Sequence, residues 1–410
     1  MEASEYLLRY LNLRHMRSSG MVVPVEFIGM MDVDMLQKTR DYEADKACFG
    51  FISSLFGNLL TVAFIFGPLL NIVNEWTVSL NLPFVISGWL FFVILLLASE
   101  ILNIPFSLYE NFRIENKYGF NTMTLRLWIS DFARSLLISV ILISIILFAA
   151  FGIMQWSSVH WWIWLWGVML LYGIFIMYIS PYVIEPIFNK FTPLEDELLK
   201  KKIAALAEKA GISIARIMKM DASRRSRHSN AYFTGIGKTK RIVLYDTLTE
   251  GMTQDEIIAV LAHEMGHWKR RHVLKMIVMM EMLMLILLYI SFRLMEGDML
   301  AEIFRIGAPS TYAKLVIVGF LCGIASFPLR PLINYFSRHN ERQADNDCIY
   351  LTGDAESAVA AFIKLAKENL TNLNPHPLYV FFYHSHPPIL DRIRYIRGKS
   401  GKQEAKPAYS

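Results

Sequence analysis

The sequence predicts a mainly α-helical protein with several membrane-spanning helices and one small α/β segment on the cytosolic side. Of its 410 residues, 54% are hydrophobic, more than the 45–50% or so that is typical of soluble domains. The mean hydropathy is +0.36. The apolar residues are concentrated in runs of about 20, the length of helix that crosses about 30 Å of hydrocarbon. These observations place the chain in a membrane.

Six apolar runs are long enough to span a bilayer. They lie at residues 51–73, 83–103, 135–154, 161–182, 273–295 and 312–334. The seven segments that flank them, counted with the span ends, hold six, zero, four, zero, seventeen, three and eleven Lys and Arg residues. Their bounds are 1–48, 74–81, 103–134, 153–162, 185–275, 292–314 and 330–410. Because cytoplasmic segments are enriched in Lys and Arg, this alternation predicts that both termini and the large segment 185–272 face the cytosol. We therefore interpret the net charge of +5 as a topology signal, and no nucleic-acid partner is predicted.

The spans divide the chain into four predicted parts. These are residues 1–184 with four spans, the cytosolic segment 185–272, residues 273–336 with two further spans, and a C-terminal cytosolic segment at 337–410. Residues 1–48 carry charges throughout, so no cleavable signal peptide is predicted and the first span serves as the insertion signal. The small, polar tail beyond Arg397 is expected to be disordered.

Charged residues in or near the membrane have two possible explanations. Glu281 lies near the middle of the fifth span and Arg330 near the end of the sixth. Each either pairs locally at a helix–helix contact or faces a hydrated chamber between the helices. The basic cluster of Arg224, Arg225 and Arg227 is interpreted as solvated charge next to anionic lipid. The weaker alternative is that these residues hold a carboxylate of the substrate.

The cytosolic segment has a mixed α/β pattern. Residues 194–210 have apolar residues at helical spacing, and the pattern ends at Gly211, which predicts a helix. Residues 229–246 contain two β-rich runs around a turn with Gly and Lys, which predicts a β-hairpin.

The motif H-E-M-G-H at residues 263–267 carries the strongest chemical signal. On a helix, His263 and His267 lie on one face, one turn apart, so two imidazoles can bind one zinc ion. Glu264 is then placed to take a proton from a water molecule at the metal. A helix is expected independently, because Thr253 and Glu256 have the spacing of a capping box.

A catalytic zinc site needs a third protein ligand and an open position. Glu341, just after the sixth span, is the best candidate, and Asp345 falls on the same helical face. One carboxylate can bind the metal while the other accepts a hydrogen bond from the outer nitrogen of a zinc histidine. His339 points away from Glu341 and is a poorer ligand. The three cysteines are too few and too scattered for a Cys-x-x-Cys metal site.

Several motifs together resemble the type 1 CAAX prenyl protease family of membrane zinc peptidases. They are H-E-M-G-H at 263–267, S-R-H-N-E-R-Q-A-D at 337–345, H-P-P at 386–388, N-A-Y-F at 230–233, P-I-F-N-K-F-T-P-L at 186–194 and K-Y-G-F-N at 117–121. The resemblance implies a ring of transmembrane helices around a chamber, with one Zn²⁺ per chain at its cytosolic side. It also implies membrane lipid as the environment and a peptide or prenylated CAAX protein as the substrate. The membrane would be the endoplasmic reticulum in a eukaryote or the inner membrane in a bacterium.

The family usually has seven spans, and the sequence lacks the N-terminal one before residue 6. The start of this chain is therefore either internal to a longer protein, or the chamber has one helix fewer.

The resemblance also assigns roles outside the zinc motif. His386 would donate a hydrogen bond to the oxyanion that forms during attack on the carbonyl, with Arg392 nearby in support. His384 is the nearest competitor for that role, and the alternative is that both are ordinary loop histidines.

An edge strand would pair with the extended substrate peptide. Its residues are Asn230, Ala231, Tyr232 and Phe233. The alternative is a hairpin strand without a substrate role.

Two rival functions remain open at this stage. A membrane-protein quality-control protease of the heat-shock-induced type would use the same chemistry. A catalytically silent scaffold or transporter built on the protease fold is the rival from another class. The complete set of zinc and base residues favours an enzyme.

Overall fold

A computed structural model describes residues 1–19, 22–235, 240–297, 299–304 and 309–404. In the N-terminal half the helices are α1 (Glu2–Ser19), α2 (Val33–Phe66), α3 (Leu69–Ser79), α4 (Phe84–Tyr109), α5 (Asn116–Tyr118), α6 (Leu125–Trp156), α7 (Trp161–Ile179), α8 (Glu185–Phe188) and α9 (Glu197–Ala210). In the C-terminal half they are α10 (Asp246–Gly251), α11 (Gln254–Lys269), α12 (His272–Met295), α13 (Met299–Phe304), α14 (Thr311–Ser326), α15 (Arg330–Thr352), α16 (Ala355–Glu368), α17 (Pro377–Tyr383) and α18 (Ile389–Glu404). The strands are β1 (Phe191–Pro193), β2 (Arg216–Met220), β3 (Ala231–Thr234) and β4 (Arg241–Tyr245).

Six helical stretches among the described residues are long and apolar enough to cross a membrane. They are Val33–Phe66, Phe84–Tyr118, Leu125–Trp156, Trp161–Phe188, His272–Met295 and Thr311–Thr352. The number and order of the predicted spans are therefore confirmed.

The first span ends earlier than the predicted 51–73. Helix α2 stops at Phe66, and α3 begins at Leu69 after Gly67 and Pro68. Proline lacks the N–H that would continue the ladder, and its ring clashes with the preceding turn. The apolar run therefore continues through this break although the helix does not.

The sixth span and the helix that carries Glu341 are almost continuous. A 3-10 turn at Phe327–Leu329 joins α14 to α15, and α15 then runs on to Thr352. The third predicted metal ligand is thus held on the continuation of a membrane helix.

Two of the charged residues singled out in the sequence have ion-pair partners. Arg330 pairs with Glu5 of α1 at 2.7 Å, as the local-partner explanation expects. Arg225 binds Asp131 through Nε at 2.7 Å and Nη2 at 3.0 Å, so the prediction of a solvated charge was wrong for this residue. Asp131 lies on α6, and its carboxylate matches the fork of the guanidinium.

The small sheet has the strand order β1-β2-β4-β3. Strands β3 and β4 pair antiparallel, which confirms the predicted hairpin, although residues 236–239 of its turn lie outside the described residues. Helix α9 starts at Glu197, where Asp196 caps it, and stops before Gly211, which has φ +72°. The observed helix therefore begins three residues after the predicted start at residue 194. Strand β3 is left at an edge of the sheet.

The C-terminal segment is more ordered than predicted. Helix α18 continues to Glu404, so the expectation of disorder beyond Arg397 was wrong as far as that residue. Ile393 and Ile396 are fully buried in the core that also holds Leu261 and Met265 of α11, which anchors the first half of α18. Residues 405–410, also part of that prediction, lie outside the described residues.

Candidate metal centre

Helix α11 begins with the predicted capping box. Thr253 accepts from the Glu256 N–H at 3.3 Å, and Glu256 accepts from the Thr253 N–H at 2.7 Å. Ile257 and Leu261 form its buried side. Since both ends of the box are satisfied and the apolar stripe is covered, the register of the following H-E-M-G-H motif is fixed.

Helices α11 and α15 cross at Gly266, between the two motif histidines. A Cβ on Gly266 would lie 3.0 Å from Ala344 Cα and 3.1 Å from Asp347 Cβ. Asp347 also accepts two hydrogen bonds from Arg270, one of them from Nη2 at 2.9 Å. The absence of a side chain at Gly266 therefore lets the two helices approach closely enough to bring their polar residues together.

This crossing gathers His263, His267 and Glu341. The two Nε2 atoms are 3.2 Å apart, and the Glu341 oxygens lie 3.3 Å from each of them. Tetrahedral zinc with bonds of about 2.0–2.1 Å holds its ligand atoms about 3.3–3.4 Å apart. The three donors therefore have the spacing of ligands around one tetrahedral metal ion.

Burial gives a second test of the fit. Glu341 is 4% exposed, and its buried Oε2 has no hydrogen-bond partner within the described part of the chain. A buried carboxylate oxygen without a partner is costly. A cation bound between the three side chains would satisfy this oxygen.

Asp345 and Arg392 lie on the outer side of His263. Its Nδ1 lies 3.0 Å from Asp345 Oδ1, and Asp345 is fully buried. Arg392 binds the same carboxylate, with Nη2 2.6 Å from Oδ1 and Nε 3.0 Å from Oδ2. The Arg392 guanidinium also packs on the Phe362 ring at 4.0 Å.

The two carboxylates make this imidazole a site for positive charge. Burial and the nearby Arg392 both lower the pKa of His263, but its contacts with Asp345 and Glu341 outweigh them and raise that pKa to about 9. The electrostatics of the cluster thus favour a cation at this point.

Glu264 is half-buried beside the two histidines. Burial raises the pKa of its carboxyl group, although the charges of His263 and His267 oppose that shift. A carboxylate with a raised pKa is a better proton acceptor near neutral pH.

His386, and not His384, lies next to the cluster. His386 Nε2 is 3.2 Å from Glu341 Oε1, and its Nδ1 is 2.9 Å from the Ser385 hydroxyl. His384 lies instead against Tyr379, with ring centroids 5.7 Å apart. Desolvation by the surrounding protein lowers the pKa of both imidazoles, although the His386 side chain keeps an open face to solvent. Each imidazole therefore favours the neutral form.

The predicted substrate strand lies beside α11, the helix that carries His263 and His267. Phe233 of β3 faces Trp268 of α11, with ring centroids 6.3 Å apart. The Tyr245 N–H donates to the Asn230 carbonyl at 3.1 Å. Since hydrogen-bonded pairs alternate in an antiparallel ladder, the backbone groups of Ala231 and Phe233 point to the open edge.

Two other side chains of this strand have partners on the protein. Asn230 Oδ1 accepts the Ala231 N–H at 2.8 Å, so that donor is already taken. Tyr232 donates its hydroxyl to Glu185 at 2.9 Å, and Arg241 binds the same carboxylate at 2.9 Å. The groups that stay available on the edge are therefore the Ala231 carbonyl and both backbone groups of Phe233.

One residue of the site, His272, is not predicted by any pattern in the sequence. Its Nδ1 lies 3.1 Å from His267 Nδ1, and its Nε2 lies 3.0 Å from Gln343 Oε1. In an unbroken helix, a residue five positions after His267 would point elsewhere. The helix break at Arg270 and Arg271 brings this side chain back, and spacing alone does not reveal it.

Comparison with known proteins covers nearly the whole chain. Residues 12–190 match the family described as "CAAX prenyl protease N-terminal, five membrane helices". Residues 193–400 match "Peptidase family M48". In the first of these regions, the described residues form four long apolar helices and the shorter α3.

Similar curated proteins and a similar solved structure carry related names. A "CAAX prenyl protease 1 homolog" of Arabidopsis thaliana is 34% identical, over 96% of this chain and 95% of that protein. "CAAX prenyl protease 1" of Saccharomyces cerevisiae is 32% identical, over 96% and 93%. The crystal structure of S. mikatae Ste24p matches with a TM-score of 0.89 and 30% identity, over 96% of this chain and 95% of that one. The structural match confirms the predicted fold class.

Proposed function

The chain belongs to the M48 peptidase family and to its CAAX prenyl protease group, and we propose that it cleaves the C-terminus of prenylated CAAX proteins with one zinc ion held by His263, His267 and Glu341. It is an integral-membrane metallopeptidase. The observation that carries the proposed metal site is the spacing of its three donor groups at 3.2–3.3 Å.

The identity of the metal follows from the donor set. Two imidazoles and one carboxylate are the ligands of a catalytic zinc site with one open position. When bound there, zinc supplies the Lewis acidity that activates water and polarises the scissile carbonyl. We infer that Asp345 accepts the Nδ1–H of His263 and so fixes its ring and tautomer, and that Arg392 holds the Asp345 carboxylate in place.

Glu264 is the proposed general base. It follows His263 directly on α11, and its burial favours the proton-accepting function described above. It takes a proton from the attacking water and passes it to the leaving amine, so one carboxylate serves both halves of the reaction.

His386 is the proposed donor to the oxyanion. Its neutral imidazole keeps one N–H, and its Nε2 lies 3.2 Å from Glu341, on the edge of the metal cluster. Its side chain is 62% exposed, so it stands where a substrate carbonyl can reach it. A donor aimed at the growing negative charge stabilises the transition state more than the bound substrate.

The edge of β3 is the proposed substrate-binding strand, formed by Asn230, Ala231, Tyr232 and Phe233. An extended peptide would accept from the Phe233 N–H and donate to the Ala231 and Phe233 carbonyls. Asn230 and Tyr232 contribute by fixing the strand, since their side chains bind groups of the protein itself.

We place the site on the cytosolic face of the membrane. The strongly basic segment 185–272, which holds α11, and the basic C-terminal segment with Glu341 both belong on that side by their Lys and Arg content. The similar proteins reported above come from eukaryotes. For a eukaryotic member the family resemblance implies the endoplasmic reticulum, and this is the membrane we propose.

A direct test uses purified protein in detergent and two matched CAAX peptides, one farnesylated on its cysteine and one unmodified. We expect kcat/KM to be higher for the farnesylated peptide, and Glu264→Gln protein to cleave neither. Cleavage of neither peptide by zinc-loaded wild type would contradict the proposed function. Equal cleavage of both would contradict the prenyl specificity alone.

A further inference from the structure

The outer nitrogen of His267 is held by another imidazole instead of a carboxylate. His267 and His272 approach through their Nδ1 atoms at 3.1 Å. His272 continues through Nε2 to Gln343 Oε1 at 3.0 Å, and Gln343 Nε2 reaches His339 Nε2 at 2.8 Å. His263, by contrast, has the Asp345–Arg392 pair behind it.

The chemistry of the side chains gives this chain of contacts a single direction. Because His267 Nε2 faces the other metal donors, its proton belongs on Nδ1, which donates to His272 Nδ1. His272 then carries its proton on Nε2 and donates to the Gln343 oxygen. That leaves the Gln343 amide nitrogen, which can only donate, facing His339. Every contact has one donor and one acceptor.

Backbone conformation explains why His272 can reach back. Arg271 adopts φ +55°, in the left-handed region that non-glycine residues seldom occupy. Helix α11 ends before it and α12 begins directly after it, at His272. His272 is 3% exposed. The first residue of the fifth membrane helix is therefore locked against a metal ligand.

We propose that His272 and Gln343 are positioning residues, which fix the tautomer and the ring orientation of His267 and so set the zinc affinity of the site. This inference rests on the proposed zinc site. The position of α12 relative to α11 then determines how well His267 is presented to the metal. Outer hydrogen-bond partners of metal ligands typically change metal affinity by about 10–100-fold.

The decisive measurement is zinc affinity, obtained by competition with a chelator of known affinity on full-length protein in detergent. His272→Ala should weaken zinc binding by about 10–100-fold. His272→Asn places an amide oxygen near the former Nδ1 and should recover part of that loss. Gln343→Ala should weaken binding less than His272→Ala. Gln343→Glu, which still accepts from His272, should bind zinc about as well as wild type.

His339→Ala is the matched control, because His339 is the exposed far end of the same chain of contacts. It should leave zinc affinity within about twofold of wild type. At saturating zinc, His272→Ala should lower kcat with KM little changed, since ring orientation affects the metal and not the peptide-binding strand.

Two results would overturn the inference. One is a zinc affinity of His272→Ala equal to that of wild type. The other is an equal loss in His272→Ala and His272→Asn together with an equal fall in the melting temperature of both metal-free proteins, which would make His272 a structural residue only. Failure of wild type itself to bind zinc would instead contradict the proposed function.

Discussion

Replacing Gly266 with alanine tests whether the close crossing of α11 and α15 creates the metal site. The new Cβ would lie 3.0–3.2 Å from Ala344 and Asp347 of α15. Ordinary carbon contacts are about 3.5–4.0 Å, so the two helices must separate by roughly 0.5 Å. Metal–ligand distances, however, are held within about 0.2 Å. Glu341 would be drawn away from the two histidines.

The close contact of the new Cβ with α15 sets the expected loss of zinc affinity. An added methyl group in a packed contact costs about 1–3 kcal/mol. Alanine also stabilises the helix by about 1 kcal/mol relative to glycine, but this gain is the same with and without metal and cancels in the zinc affinity. The metal-free protein can relax the contact by letting the helices part, whereas zinc binding restores it. A strain of 1–3 kcal/mol felt only with metal bound corresponds to about 5–150-fold weaker zinc affinity. The melting temperature of the metal-free protein should change little.

Chelator competition on purified Gly266→Ala protein measures this loss, with peptide hydrolysis at saturating zinc as a second readout. Gly398→Ala in α18 is the matched control, because a Cβ there has open space within 4 Å. Wild-type zinc affinity in Gly266→Ala protein would refute the reasoning, since α15 could then yield without moving Glu341.

The remaining predictions concern individual side chains of the site. Glu264→Gln should keep zinc bound and lose nearly all hydrolysis, because the ligands remain and the base does not. Metal analysis and a peptide assay measure the two quantities, and turnover like that of wild type would contradict the assignment. Glu341→Ala should lose zinc, whereas Asp345→Asn should weaken zinc affinity or activity by about 10–100-fold; full zinc content in the Glu341 variant would mean another third ligand. His386→Ala should lower kcat by about 100-fold with KM and zinc content nearly unchanged, and His384→Ala should lower kcat much less. A larger loss in His384→Ala, in the same assay at equal zinc loading, would assign the oxyanion role to His384 instead.

Local spacing in the sequence was sufficient to predict which residues lie at the centre of the site. The Thr253–Glu256 capping box sets the register of α11. The four-residue spacing of His263 and His267 then places both side chains on one face of that helix. Glu341 and Asp345 could be paired for the same reason, since one helical turn separates them. The structure brings these residues together and places Asp345 behind His263; their catalytic and ligand roles stay predictions.

Features that depend on breaks between helices, or on contacts between residues far apart in the sequence, were not predictable in this way. His272 contacts His267 only because Arg271 takes a left-handed conformation, which no residue type there announces. The need for Gly266 arises from α15, far away in sequence. Hydropathy joined α2 and α3 into one span because it gives no weight to the helix-breaking Gly67 and Pro68.

X-ray absorption at the zinc edge tests most directly whether one zinc ion is bound by two imidazoles and a carboxylate. We predict one zinc per chain in purified wild-type protein, with a first shell of nitrogen and oxygen at about 2.0–2.2 Å. Two imidazoles should be visible through their outer ring atoms. A sulfur neighbour at about 2.3 Å would implicate a cysteine such as Cys348, which is buried near α11, and would contradict the assignment. A first shell without imidazole would contradict it equally.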